Sequence, residues 1–228
     1  MAQAFSCFLC HQSDVGGVIG LGGSGGSAIV APALQTLPIG TPKILVSTLA
    51  SGDVSAYVGT SDIQMVNPVT DIAGLNRVSR VVLGNAANAL VGMMGRPIKR
   101  TETTKPAIGL TMYGVTTPCV RYVTEKLKNK FDCLVFHATG PGGQSMERLL
   151  ESGCLSGVID ITTSDIVDLL MGGHFAAADY RLRAVARTKA PYVVFQKAAT
   201  RSERSRDFVS LSSRSEGSRA PRIVCFHD

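Results

Sequence analysis

Short apolar runs alternate along this chain with longer segments in which apolar and polar residues recur at helical spacing. The apolar runs predict buried strands at residues 15–21, 43–48, 63–66, 107–111, 133–137, 158–161 and 192–195. The segments between them predict helices at residues 1–12, 27–37, 72–94, 117–130, 145–151, 164–171 and 179–188. Strands and helices that alternate with short turns indicate an α/β fold with Rossmann-like parallel sheets.

The polar, proline-bounded segment 96–106 separates two such strand–helix series. We therefore expect a first α/β domain at residues 1–95, a linker at 96–106 and a second α/β domain at 107–195. Residues 196–228 contain seven serines and eleven charged residues among thirty-three. This composition is typical of a disordered or aberrant tail.

Charge and composition exclude several classes of protein. The formal net charge is +6, but it is spread over the chain without a basic stripe carrying interleaved aromatic residues, so we do not expect direct nucleic-acid binding. No secretory leader and no apolar run of membrane-spanning length is present, so we expect a cytoplasmic protein without membrane contact.

The six cysteines are scattered and do not indicate a disulfide framework. Cys7-x-x-Cys10-His11 matches the pattern of c-type haem attachment. The alternative, which we prefer, is an amphipathic helix whose cysteines are ordinary small apolar residues, because haem attachment requires export and no export segment is present.

The glycine-rich stretch 20–26 carries the clearest functional signal. It follows a predicted strand and precedes a predicted helix, so its backbone N–H groups would lie at a helix N-terminus, where they attract anions. Small residues let a phosphate group reach the backbone. The candidate phosphate-binding residues here are Gly20, Gly22, Gly23, Ser24, Gly25 and Gly26.

The same stretch matches the dinucleotide fingerprint G-x-G-x-x-G, which also requires an acidic residue at the end of the next strand. That strand ends at Ser47 and Thr48, and the nearest acid, Asp53, lies in the following loop. A nicotinamide dehydrogenase is therefore disfavoured. A Walker P-loop is excluded, because no Gly-Lys-Ser/Thr follows. A tight turn that binds nothing remains an alternative.

A second glycine-rich loop lies between a predicted strand and a predicted helix. Its candidate phosphate-binding residues are Thr139, Gly140, Gly142, Gly143 and Ser145. Accessory candidates at the same predicted sheet edge are Thr116, Thr117, His137, Thr163 and Asp165. Ordinary helix capping explains Thr117 and Thr163 without a ligand.

Three aspartates, Asp53, Asp62 and Asp71, are candidate ligands for Mg²⁺ or a ribose. Their alternative roles are solvated loop acids and, for Asp71, the cap of the helix at 72–94. No zinc-site spacing and no catalytic constellation is found in the sequence, so no catalytic residue is assigned.

Several ordered blocks together resemble the Tm-1-like ATP-binding family, also called the UPF0261 type. The blocks are residues 16–26, 46–53, 69–77, 109–118, 135–143 and 160–165. The resemblance implies two Rossmann-like domains, ATP binding with Mg²⁺ as its usual counter-ion, and a homodimer. The family has plant and bacterial members, and for a plant member the resemblance implies antiviral defence through binding to a viral replication protein.

The chain departs from this family at both ends. Members begin with a further strand and a Gly-Thr-Ala-Asp-Thr-Lys-like loop, and residues 195–228 resemble nothing in them. We therefore expect a truncated chain whose first domain is incomplete and lacks some ATP contacts.

Three hypotheses follow. The first is a nucleotide-binding module that acts through protein–protein contact, such as inhibition of viral RNA replication. The second is an enzyme that acts on a phosphorylated or acyl metabolite, which the Thr, Ser, His137 and Asp165 side chains at strand ends favour. The third is a fragment that is not stable alone, because a missing strand would expose a sheet edge.

Overall fold

The computed structural model describes residues 1–98, 105–178, 181–195 and 223–225. The chain divides into two compact units, Met1–Arg100 and Thr101–Asp228. Each unit is built around its own parallel sheet.

The first unit contains three parallel strands in the order β1-β2-β3. Its elements, in chain order, are α1 (Ala2–Cys10), β1 (Val18–Gly22), α2 (Ser24–Thr36), β2 (Lys43–Ser47), α3 (Ser55–Val58), β3 (Gln64–Val66) and α4 (Arg77–Gly95). A 3₁₀ turn, Thr48–Ser51, directly follows β2.

Strand β2 forms the centre of the first unit, because all five of its residues are buried. Ile44 and Val46 pack in one cluster with Ala86 and Leu90 of α4. Leu45 points to the opposite face and packs with apolar residues of α1 and α2. The alternation of side chains along a strand thus places helices on both faces of the sheet.

The second unit contains a parallel sheet in the order β5-β4-β6-β7-β8. Its elements, in chain order, are β4 (Ala107–Met112), α5 (Thr117–Leu127), β5 (Asp132–His137), α6 (Gly140–Glu151), β6 (Gly157–Asp160), α7 (Ser164–Met171), α8 (Arg183–Thr188), β7 (Tyr192–Val194) and β8 (Ile223–Cys225). Strand β4 lies between β5 and β6, so the chain reverses its direction across the sheet there. Such a reversal is a topological switch point, where ligands of open α/β sheets bind.

The predicted α/β class with parallel sheets is confirmed. The predicted helix at 72–94 begins later, at Arg77, and its cap is Asn76 rather than Asp71. The Asn76 Oδ1 atom accepts hydrogen bonds from the N–H groups of Val78 and Ser79, and the Ser79 hydroxyl accepts one from the Asn76 N–H. This reciprocal pair is a capping box, which satisfies more donors than a single carboxylate would.

Other boundaries also differ from the sequence prediction. The glycines at 140–143 are the first turn of α6, not a separate loop. Helix α8 begins at Arg183, four residues after the predicted start, and residues 179–180 lie outside the described part. Within the predicted tail, residues 223–225 form a strand paired with β7, and the rest of that prediction concerns residues outside the described ranges. None of the helices in the described ranges combines the length and the apolar character needed to cross a membrane.

Candidate functional site

The first glycine-rich stretch joins β1 directly to α2. Gly22 is the last residue of β1, Gly23 is the N-cap of α2, and Ser24 is its first residue. No side chain accepts a hydrogen bond at this N-cap, and the first turn carries no acidic residue. The N–H groups of a first helical turn have no acceptor within their own helix. Those of Ser24, Gly25 and Gly26 are therefore donors for an external acceptor.

The glycines of this turn serve two different purposes. A Cβ atom at Gly22 would lie 2.9 Å from the Cα atom of Gly26, and one at Gly20 would collide with Val30. Gly20 and Gly22 are thus required for packing between β1 and α2. A Cβ atom at Gly25 would meet nothing within 4 Å. The space in front of Gly25 is open to a ligand.

A buried hydrogen bond fixes this turn to the neighbouring strand. The Ser27 hydroxyl of α2 donates to the Ser47 hydroxyl at the end of β2, over 2.7 Å. The Ser47 hydroxyl also accepts the N–H of Leu49, over 3.1 Å. Both serines are fully buried, so this contact holds the start of α2 against the carboxyl end of β2.

A polar groove of about 400 Å³ lies at the same sheet edge. It is lined by Thr48, Ser51, Asn67, Val69, Thr70 and Asp71. Thr48 connects the groove to the glycine turn, because its Oγ1 atom lies 3.5 Å from the position that a Cβ atom of Gly23 would take. The turn and the groove therefore adjoin each other at Thr48, at the carboxyl ends of β1 and β2.

The three candidate aspartates have different environments. Asp71 lines the polar groove, and its Oδ1 atom accepts the N–H of Ile72 over 2.7 Å. Asp53 lies outside the groove lining and accepts the N–H of Ser55, and this hydrogen bond lowers the pKa of Asp53.

Asp62 is excluded from the site by its position. It lies before β3 and pairs over 2.6 Å with the buried Nζ atom of Lys43, the first residue of β2. Burial alone would raise the pKa of Asp62, but hydrogen bonds from Lys43 and Gly40 and the Lys43 charge hold it below its ordinary value. This pair lies at the amino ends of the strands, opposite the glycine turn. Among the described residues, no group of three metal-ligating side chains is assembled.

The second glycine-rich loop is occupied by the chain's own atoms. A Cβ atom at Gly142 would collide with the carbonyl oxygen of His137, and one at Gly140 with that of Ala176. A Cβ atom at Gly143 would lie 3.0 Å from an Asp165 carboxylate oxygen. Packing alone therefore explains these glycines, and phosphate binding there stays a prediction.

Thr139 and Ser145 flank this loop. Thr139 is the N-cap of α6, and its side chain makes no capping hydrogen bond. The Ser145 hydroxyl donates to the carbonyl oxygen of Pro141 over 2.9 Å. The Ser145 proton is thus used within the helix.

The two hydroxyl-rich loops of the second unit do meet at the switch point between β4 and β6. The hydroxyls of Thr116 and Thr162 lie 2.6 Å apart, and the Thr111 hydroxyl accepts the N–H of Thr162 over 2.9 Å. Thr117 is the first residue of α5, and Thr163 is the N-cap of α7 but makes no side-chain capping bond. Thr163 therefore has the expected N-cap position without a capping hydrogen bond, and the expected capping role of Thr117 is wrong because the N-cap of α5 is Thr116.

His137 ends β5 at this edge and is exposed. Its ring centroid lies 5.2 Å from that of Tyr113, which in turn lies 6.1 Å from the ring centroid of Phe175. Three segments of the chain thus contribute aromatic rings to the carboxyl edge of the second sheet.

A buried ionic network lies beneath this edge. The Arg181 guanidinium donates to Asp160 over 2.8 Å and to Asp165 over 3.0 Å, and pairs with Glu147 over 3.5 Å. The Tyr192 hydroxyl also donates to Asp160, over 2.6 Å. Asp165, expected as an accessory ligand, is fully buried and is engaged within the fold.

The pKa values in this network follow from burial and charge. Burial raises the pKa of Asp165, although the Arg181 charge opposes this shift. Burial and the Asp160 charge both raise the pKa of Tyr192. Burial would lower the pKa of Arg181, but the charges of Asp160 and Asp165 outweigh it and raise that pKa.

Comparison with known proteins places both units in one family. Residues 1–99 match the N-terminal domain, and residues 105–200 the C-terminal domain, of the uncharacterised protein family UPF0261. The chain is 58% identical over 193 residues to the UPF0261 protein RA0729 of Rhizobium meliloti, which covers 85% of this chain and 48% of that protein. It is 46% identical over 187 residues to a UPF0261 protein of Clostridium tetani, covering 82% of this chain and 46% of that protein.

Two tomato proteins are also similar to the chain. The chain is 45% identical over 206 residues to the ToMV resistance protein Tm-1(GCR237) of Solanum lycopersicum, covering 85% of this chain and 27% of that protein. The ToMV susceptible protein tm-1(GCR26) gives the same values. The chain spans about half the length of the bacterial relatives and about a quarter of the tomato ones.

Alanine substitutions distinguish the two glycine-rich stretches. We expect Gly142→Ala to lower the free energy of unfolding by about 2 kcal/mol or more, because its methyl group collides with backbone. Gly25→Ala should leave stability unchanged or raise it by up to about 1 kcal/mol, since its space is open and glycine disfavours a helix. Urea unfolding measures both, and equal losses would contradict the assignment.

Arg181 should be essential for the second unit. Arg181→Met leaves three buried carboxylates without their cation, so we expect a loss of about 3–5 kcal/mol at pH 7. Without its cation, a buried carboxyl has a still higher pKa in the folded state than in the unfolded state. The folded variant therefore binds more protons than the unfolded variant, so the loss of stability relative to the wild type should be smaller at acidic pH than at pH 7. Arg183→Met, an exposed position two residues away, is the matched control and should change stability by less than about 0.5 kcal/mol.

Proposed function

The chain belongs to the UPF0261 family, and from its uncapped glycine turn and the adjoining groove we propose that its first unit binds a nucleotide, ATP with Mg²⁺. The single observation that supports this proposal is the open first turn of α2. An anion placed there receives backbone N–H groups and interacts favourably with the helix dipole.

The polar groove suits the remainder of such a ligand. Four of its six lining residues carry hydroxyl or amide groups, which can bond to a ribose or to phosphate oxygens. Asp71 is its carboxylate, and a carboxylate combined with phosphate oxygens is the usual way in which proteins hold Mg²⁺. We assign Asp71 that role, whereas Asp53 accepts the N–H of Ser55 outside the groove lining.

The hypothesis of a metabolite enzyme is less well supported. It relied on His137 and Asp165 at strand ends, and Asp165 is committed to the buried pair with Arg181. Inhibition of a virus also stays a prediction, because the resistance and susceptible tomato proteins are matched at the same 45%. The expected cytoplasmic location stays a prediction as well.

A second proposal concerns self-association through α4. Residues 81–95 of this helix contain no charged side chain, although Val81 is 61% and Val91 66% exposed. The exposed side of α4 thus combines valines with the uncharged amides Asn85 and Asn88. An uncharged, partly apolar face of this kind suits a protein contact, and a face repeated in a second copy can pair with itself about a twofold axis. We propose that α4 forms the interface of a homodimer.

The dimer proposal is tested by sedimentation of the wild type against Val91→Glu, which places a charge on the exposed face of α4. We expect a dimer for the wild type and a monomer for the variant, because an unpaired charge is costly to bury. Val69→Glu, at a similarly exposed valine outside α4, is the control and should remain dimeric. A monomeric wild type would contradict this proposal.

Nucleotide binding is tested by calorimetric titration with ATP and Mg²⁺. Gly25→Asp places a carboxylate in front of the phosphate position, so we expect affinity to fall at least about tenfold, or 1.4 kcal/mol. The same carboxylate favours a helix N-terminus, so the melting temperature should not fall. Gly25→Ala keeps the N–H group and is neutral, and it should bind ATP nearly as the wild type does. No binding by the wild type at millimolar ATP would refute the proposal.

A further inference from the structure

Val69, in the loop after β3, adopts an unfavourable backbone conformation. Its φ angle is +67°, in the left-handed region that glycine and asparagine tolerate and β-branched residues avoid. Only two other described non-glycine residues, Leu182 and Lys189, have positive φ angles.

Val69 is 71% exposed, so packing in the core does not compensate for this strain. Its backbone is held by its neighbours: Pro68 is buried, and the Asn67 Oδ1 atom accepts the N–H of Val69 over 3.0 Å. The loop therefore presents an isopropyl group to solvent at a position where glycine or asparagine would be less strained. Backbone strain that is not offset by packing is characteristic of functional positions.

The position of Val69 indicates what function this strained conformation serves. It is the one apolar residue among the six that line the polar groove. The groove reaches Thr48, which adjoins the glycine turn. Since β1, β2 and β3 are adjacent in that order, two strand spacings, about 10 Å, separate the loop after β3 from the turn after β1. A pyrophosphate group is too short to cover this span, and a phosphate chain that carries a sugar or ring covers it.

We propose that Val69 is a specificity-determining contact for the organic part of a phosphate ester, a sugar or a heteroaromatic ring, whose phosphates lie at Gly23–Gly26. This inference rests on the proposed nucleotide binding and adds a selection: the site prefers organic phosphates to inorganic polyphosphates. The strained loop holds the isopropyl group in place before the ligand arrives, so little ordering is required on binding.

The test compares two ligands that share a phosphate chain, ATP and tripolyphosphate, each titrated with Mg²⁺ into the full chain. The wild type should bind ATP more tightly than tripolyphosphate. Val69→Asn removes the apolar contact and accepts the positive φ angle. We expect its affinity for ATP to fall about fivefold to tenfold, its affinity for tripolyphosphate to stay unchanged, and its melting temperature to rise by about 2–4 °C.

Lys189→Asn is the matched control, because Lys189 is exposed, has a φ angle of +55° and lies in the second unit. It should raise the melting temperature without changing the preference for ATP over tripolyphosphate. A Val69→Asn variant that keeps this preference, or that weakens both ligands equally, overturns the inference while leaving nucleotide binding intact. Absence of binding of either ligand to the wild type refutes both.

Discussion

Burial of a parallel strand on both faces is the constraint on which the candidate site depends. β2 is fully buried, so helices must cover both sides of the sheet, and each parallel neighbour must be reached by a crossover connection. Crossovers bring the carboxyl ends of β1, β2 and β3 to one edge. The glycine turn, the 3₁₀ turn after β2 and the loop after β3 are neighbours for that reason alone. The buried Ser27–Ser47 hydrogen bond then fixes the first of these connections to the second.

The two glycine-rich stretches show that similar sequences can have different physical roles. Both follow a strand and open a helix, and both contain glycines whose Cβ atoms would collide with the chain itself. At α6 every glycine of the first turn is close to another part of the chain: Gly140 to Ala176, Gly142 to His137, and Gly143 to Asp165 and Arg181. At α2 the close contacts involve Gly20 and Gly22, and the space at Gly25 remains open. A glycine turn that can bind a ligand differs from one that only packs in having open space in front of its glycines. No local sequence pattern indicates that space.

Much of the fold could be predicted, because apolar runs and helical periodicity are local properties of the sequence. The cap of α4 was also present in the sequence, since Asn76 and Ser79 have capping-box spacing, yet Asp71 was preferred. The buried network could not be found in this way. Arg181 pairs with residues 16, 21 and 34 positions away, and nothing in the local sequence indicates which acids will share its interior site. Val69 carried no signal either, because a positive φ angle in a β-branched residue contradicts its own propensity.

Two helices that begin at the same edge of the first sheet show why α2, and not α4, is the ligand position. At α4 the Asn76–Ser79 box satisfies the first N–H groups within the chain, so an external anion would have to displace bonds that already exist. At α2 the N-cap is Gly23, which costs only a few tenths of a kcal/mol relative to a side-chain cap and leaves the donors uncommitted. An incoming phosphate therefore has to displace only water from the backbone N–H groups at the start of α2. The N-terminus of α4 is capped by side chains and that of α2 is not, and the N-terminus of α2 adjoins the polar groove.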